Sequence, residues 1–262
     1  MLRSRIIPCL LIHNGGLVKT ESFSNAKYIG DPINAVRIFN EKEADELIVI
    51  DIDATVKNQE PNYALIEKLA AECRMPFCYG GGIKTEEQAS KIINLGVEKI
   101  AVSSLAIESP NILASIAKKI GNQSLVIVID IVKVKSILGV KYQISTHNNT
   151  KNYKLDPIEF VQSLQNIGIG EIVLNFVSLD GKMIGYDLSY VKKISKFIKV
   201  PLTILGGAGS LDDIKELVRQ SGIIGAAAGS LFVFKGKFKA VLISYPNELQ
   251  KRSVFQDNKN II

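Results

Sequence analysis

From Arg5 onward the chain alternates short, continuous apolar runs with longer amphipathic segments. The apolar runs are "RIIPCLLI", "ELIVIDIDA", "MPFCYGGG", "KIAVSS", "LVIVIDIV", "EIVLNFV", "PLTILGG" and "GIIGAAAGS". They start near Arg5, Glu46, Met75, Lys99, Leu125, Glu171, Pro201 and Gly222. Runs without polar alternation suit parallel strands covered by helices. The intervening segments carry helix signals. Asp31-Pro32 offers an N-cap and a first-turn proline to "INAVRIFNEKE". "YALIEKLAAEC", "TEEQASKIINLG" and "NILASIAKKIGN" follow, the last two ending near Gly96 and Gly121. "DPIEFVQSLQNIG", "DLSYVKKISKFIK" and "SLDDIKELVRQSG" complete the series.

Eight such units predict an α/β fold, a closed (β/α)8 TIM barrel of parallel strands with outer helices. It is expected to be a single domain over residues 1–262, since such barrels routinely fill this length. A doubly wound sheet is the competitor, but it rarely needs eight regular units. "YGGGI" of strand three and "LGGAG" of strand seven, four units apart, hint at two similar halves. "LIVIDIDA" and "VIVIDIV" are also alike but do not align under that repeat. After strand five, "KVKSILGVKYQISTHNNTKNYKLDP" has a period-two pattern around Gly139 and reads as a small inserted hairpin.

Composition narrows the function classes. A hydrophobic fraction of 47% is ample for a sizeable core, yet no apolar run reaches the roughly 18 residues of a membrane span. Arg3 and Arg5 lead straight into a strand without the cleavage pattern of a secretory signal. Cys9, Cys73 and Cys78 are too few and wrongly spaced for a zinc site or disulfide framework, and read as reduced thiols of a cytoplasmic protein. The net charge of +6 is spread out. The lysines at Lys192-Lys193, Lys196, Lys199 and Lys235 to Lys239 read as solvated surface, without a nucleic-acid motif. Basic charge does suit a phosphorylated substrate. His13 and His147 are the only histidines, which argues against histidine-rich metal sites and triads. Both read as surface loop residues, and neither a metal nor a cofactor is expected.

Active sites of such barrels lie at the C-terminal strand ends. Asp51, Asp53, Ser103, Ser104, Asp130, Asn175, Asp180 and Ser230 fall there. Gly80-Gly81-Gly82 and Gly206-Gly207 offer backbone N–H groups to phosphates on opposite sides of one mouth. Asp130 ends a long apolar strand, where a carboxylate is costly to bury without purpose. A helix cap or loop anchor is its plainer reading. Asp51 reads as a loop brace as readily as a substrate contact. Lys19, in a glycine-flanked loop, could close over a phosphate or lie in solvent. At the opposite end, Arg5, Glu46, Lys99 and Glu171 each begin an apolar strand, and could form a neutral ring of ion pairs. Bracing and the gating of a central passage are both open on spacing alone.

Taken in order, "RIIPCL", "GDP", "DELIVIDI", "PFCYGGGI", "KIAVSS", "VIVIDI", "GEIVLN", "DGKMIGYD", "LGGAG" and "GSLFVF" make nearly the whole chain resemble the cyclase subunit of imidazole glycerol phosphate synthase, the HisF family. The resemblance implies a glutaminase docked at the N-terminal face of the barrel. Ammonia would pass through to a bis-phosphorylated aminoimidazole carboxamide intermediate at the top, giving imidazole glycerol phosphate and an aminoimidazole carboxamide ribotide. It implies an ammonia gate of Arg5, Glu46, Lys99 and Glu171. The flexible first-loop lysine would be Lys19. Phosphate sites would use Gly82, Ser103 and Ser104 on one side, with Asp180, Gly181, Gly207 and Ser230 on the other. Ser103 stands where asparagine is usual and Ser104 where threonine is usual.

The departure lies on strand one. The family's acid–base pair is two aspartates, on strands one and five; Asp130 matches the second, but the first falls on Leu11. Leucine cannot transfer a proton, and losing one such group costs roughly 10²–10⁴-fold in rate. The resemblance thus implies a paralogue of the kind linked to acetamidino modification of surface polysaccharide sugars, passing ammonia to an N-sugar amidotransferase. An ordinary histidine-pathway cyclase and a non-catalytic scaffold activating a glutaminase are the alternatives. The tail "NELQKRSVFQDNKNII" is polar and helical at best.

Overall fold

The computed structural model describes residues 3–136 and 139–255. Eight strands form the barrel: β1 Arg5–His13, β2 Leu47–Asp51, β3 Phe77–Gly80, β4 Lys99–Val102, β5 Leu125–Ser136, β6 Glu171–Phe176, β7 Leu202–Leu205 and β8 Gly225–Ala228. Each pairs in parallel with the next, and β8 closes onto β1 with Arg5 opposite Gly225. The expected (β/α)8 barrel is therefore the fold, with strand starts within three residues of those read from the apolar runs.

Local chemistry sets the helix starts. Asp31 accepts from the Asn34 N–H at 2.9 Å and Pro32 opens the helix Pro32–Glu41. Thr85–Gln88 and Ser210–Asp213 are reciprocal capping boxes for Glu86–Asn94 and Leu211–Ser221. The inner faces of these helices bury Val36, Phe39, Ile92, Ile214 and Leu217 completely. Each such side chain contributes about 1.5–3 kcal/mol by leaving water.

Strand side chains alternate between two cores because their period is two. Ile6, Leu10 and Ile12 of β1 face the helices, in the large outer cluster. Ile7 and Cys9 face the lumen with Ile48, Cys78, Ala101, Val126, Val173, Leu205 and Ala227. Leu11, Ile50 and Val128 pack on top of that inner cluster.

Two hairpins rise from the C-terminal end. The glycine loop after β1 is in fact a tight reversal: Asn14 and Gly15 adopt φ of 49° and 78°. Gly16–Glu21 then runs back antiparallel to β1, followed by Ser24–Gly30. The second is the expected insertion: β5 continues past the barrel and pairs antiparallel with Gly139–Thr146, Asp130 lying opposite Ser145. Of the polar tail, Glu248–Phe255 is helical and is pinned by buried Val254 and by Lys251 at 3.3 Å from Asp45. Its last residues, 256–262, lie outside the described part. Among the described residues, no helix is long and apolar enough to cross a membrane.

Candidate active site

The barrel mouth opens into a cavity lined at its centre by Leu11, Lys19, Asp130, Asn175 and Asp180. Asp130 sits where β5 leaves the barrel, and parallel register sets Asn175 of β6 directly beside it. The Asn175 amide donates to Asp130 Oδ1 at 2.8 Å. Burial pushes the Asp130 carboxyl up to about 7; the Asn175 bond pulls it back and the charge of Asp180 adds to the rise. A carboxyl balanced near neutrality can both take and give a proton.

Leu11 brings only methyl groups to the same cavity. The neighbouring acids do not stand in for it. Asp51 lines the cavity, but its Oδ1 accepts the N–H groups of Asp53 and Ala54 at 2.9 and 3.1 Å, bracing the turn after β2. Asp53 is engaged by His13 at 2.7 Å, Lys57 at 2.9 Å and the Asn14 N–H at 2.7 Å. Burial opposes the Asp53 charge, yet these bonds outweigh it and hold the carboxyl below its usual range.

Lys19 comes from the first hairpin and is 6% exposed. Its ammonium donates to the Cys9 carbonyl, which the β8 ladder leaves free, and crowds Gly229, where a Cβ would collide with it. Burial lowers the Lys19 pKa, opposed by the nearby Cys9 and Asp180. Asp180 also accepts from Thr20 at 2.9 Å. The Cys9 thiol is pushed up to about 11 by burial, so it is no ready nucleophile.

On one side of the mouth, Gly82, Ser103 and Ser104 come together. Gly82 has φ of +74° and its N–H donates to Thr55 Oγ1 at 3.3 Å; a Cβ there would meet Gln59 O at 2.8 Å. The other side differs. Asp180 lines the cavity, whereas Gly181, Gly207 and Ser230 do not. Gly181 packs against the Thr20 carbonyl, and Gly207 O accepts the Gly185 N–H at 2.9 Å.

Several cavity residues escaped the sequence reading, among them Thr20, Phe23, Thr55, His147 and Asn148. His147 is not the surface loop residue expected. His147, Asn148 and Asn149 take successive left-handed φ values of 53°, 54° and 65°. Asn148 then fastens this turn to the loop after β2 through Ile52 O at 2.9 Å. The "HNN" run was the available signal, since Asn and His tolerate that conformation best. His13 is not a loop residue either: it ends β1, pairs with Gly16 across the turn and is held by Asp53.

At the far end of the lumen, Arg5, Glu46, Lys99 and Glu171 do meet. Arg5 bonds Glu46 and, at 2.8 Å, Glu171; Lys99 bonds the same two carboxylates at 2.8 and 2.9 Å. Thr203 donates to Glu171 at 2.6 Å. Burial pushes both carboxyls up. Arg5, Lys99 and Thr203 bring Glu171 below its usual range, while the Glu171 charge helps keep Glu46 above. Gly225 leaves room for this arrangement, because a Cβ there would overlap Thr203 Oγ1.

Residues 5–239 match the family model described as histidine biosynthesis protein. The chain is 56% identical over 256 residues to "Putative imidazole glycerol phosphate synthase subunit hisF3" of Vibrio vulnificus, covering 98% of each chain. It is 56% identical over 255 residues to a "Putative imidazole glycerol phosphate synthase subunit HisF" of Leptospira borgpetersenii, covering 97% of this chain and 100% of the relative. A "hisF2" protein named in the same terms, from Pseudomonas aeruginosa, is 50% identical over 247 residues, with 94% and 97% covered. The chain belongs to the HisF family, the cyclase-subunit family of imidazole glycerol phosphate synthase, which normally works with a glutaminase subunit.

Proposed function

We propose that this chain, as one barrel domain, takes ammonia from a glutaminase docked at its N-terminal face and delivers it from the mouth. The consumer is an N-sugar amidotransferase building acetamidino groups on a surface sugar in the cytoplasm, and cyclase turnover is lost or altered. One observation carries this reading: the ring of Arg5, Glu46, Lys99 and Glu171 is complete while Leu11 leaves Asp130 without an acid–base partner. The lumen between them supports the passage, being lined in part by the small residues Ala101 and Ala227. The ring acts as the gate, and Lys19 closes the mouth.

A second reading, a working histidine-pathway cyclase, is favoured by Asp130 near neutrality and by the cluster of Gly82, Ser103 and Ser104, which would hold one phosphate of a bis-phosphorylated substrate. Asp180, Gly181, Gly207 and Ser230 would take the other phosphate. Reconstitution separates the readings. The chain with ammonium and the bis-phosphate intermediate should show no turnover, whereas adding glutaminase, glutamine, the amidotransferase and its sugar should yield acetamidino sugar. Robust cyclisation by the isolated chain would sink the proposal. Glutaminase stimulation without acetamidino product would leave a scaffold role.

A further inference from the structure

A second polar groove, of about 610 Å³, lies outside the barrel between the inserted hairpin and the helix Leu188–Ile194. That size falls within the roughly 300–1,000 Å³ of small-ligand sites. Three lysines line it: Lys141 from the hairpin, Lys154 from the following loop and Lys193 from the helix. None has an ion-pair or hydrogen-bond partner among the described residues.

Tyr190 also lines the groove. It is 5% exposed and its ring stacks on Tyr142 at 3.7 Å. The Tyr142 hydroxyl donates to Asp187 at 2.6 Å, but the Tyr190 hydroxyl has no partner among the described residues. The Tyr190 ring is buried, but the hydroxyl oxygen is not, so it opens to the groove. The single carboxylate of the lining, Asp156, caps a helix through Oδ1, which accepts the N–H groups of Ile158 and Glu159 at 2.7 and 3.3 Å. The groove thus presents three unpaired ammonium groups and a phenol against one carboxylate, a net positive lining. The ligand that answers such a set carries several anionic oxygens on one centre, and lysine is a common point-charge partner for phosphate.

We propose that this groove binds a phosphate or diphosphate group, free or as part of a larger metabolite, at a site separate from the mouth. Its occupancy reaches the cavity through one strand. Lys141 and Tyr142 lie on Gly139–Thr146, and the next two residues, His147 and Asn148, line the mouth. A bound phosphate therefore fastens the strand that carries them.

Calorimetric titration of the full chain with inorganic phosphate, inorganic pyrophosphate and uridine diphosphate tests the site. A saturable component is expected for pyrophosphate. It should weaken at least about tenfold in a Lys154→Gln/Lys193→Gln variant and several-fold in Tyr190→Phe, the scale of lost charge-assisted hydrogen bonds. Lys192→Gln, next to the groove but outside its lining, should leave it unchanged. Uridine diphosphate binding tighter than pyrophosphate marks a larger metabolite, and equal binding marks the anion alone. Wild-type affinity in the double variant, or equal weakening by Lys192→Gln, would overturn the proposal.

Discussion

At the N-terminal end of the barrel, Glu46 and Glu171 are each held between Arg5 and Lys99. At the C-terminal end, Asp130 accepts one hydrogen bond from Asn175 and has no ion pair among the described residues. Both ends bury carboxyl groups. The first end neutralises them in place, so removing any member leaves a stranded charge. The second leaves its acid close to giving up or taking a proton, a state maintained for chemistry or inherited from it. Leu11 fits that contrast, because it removes a charge from the mouth without disturbing the ring.

The sharpest way to break the first end is Glu171→Ala. It strands Arg5 and Lys99 around a single carboxylate, and chemical denaturation should show a loss of about 3–5 kcal/mol. An unchanged midpoint would mean that water already serves both cations. Next comes Leu11→Asp, which restores a second carboxyl to the cavity. If the site is silenced only there, turnover of the bis-phosphate intermediate with ammonium should rise by about 10²-fold or more, and Asp130→Asn should abolish the gain. No gain would locate the loss of chemistry elsewhere in the mouth.

The contrast is also open to pH. Asp130 has a folded pKa of about 7, above the unfolded value of roughly 3.9. Between those values the folded chain holds a proton that the unfolded chain releases. The contribution of Asp130 is thus fully present below about pH 4 and is lost as pH rises through 7, by up to about 1.4 kcal/mol per unit. Asp130→Asn should flatten that part of the stability profile relative to wild type; parallel profiles would mean the carboxyl is solvated. The mildest change is Thr203→Val, which deletes a neutral donor to Glu171 but no charge. It should cost about 1 kcal/mol, and a loss as large as that of Glu171→Ala would refute the view that the cations dominate the ring.

Much of the fold was legible because its signals are local. Eight unbroken apolar runs marked the strands, and Asp31-Pro32 marked a helix start where the cap is found. The hairpin around Gly139 followed from its alternation. The first hairpin was missed although Asn14-Gly15, a strong two-residue turn signal, stood in view. Read from composition, its glycines flank only a loop that carries Lys19. The ring could be named from strand starts, since closing a barrel brings the starts of its strands together at one end. The mouth was harder. His147 reaches it through backbone conformation rather than strand position, and Gly207 stays outside its lining, its carbonyl taken by the Gly185 N–H. The second is not written in residue type, and the first only as the tolerance of His and Asn for left-handed backbone.

Gly225 extends the history of the ring beyond its charged members. Having no side chain, it would pass for an interchangeable small residue in "GAAAGS". Yet a methyl group there would overlap the Thr203 hydroxyl that holds Glu171. The two positions are therefore epistatic: alanine at 225 becomes acceptable only after position 203 has shrunk, and position 203 shrinks only by loosening Glu171. Drift through this corner of the barrel has a permitted order, so a neutral residue keeps the record of a charged constraint.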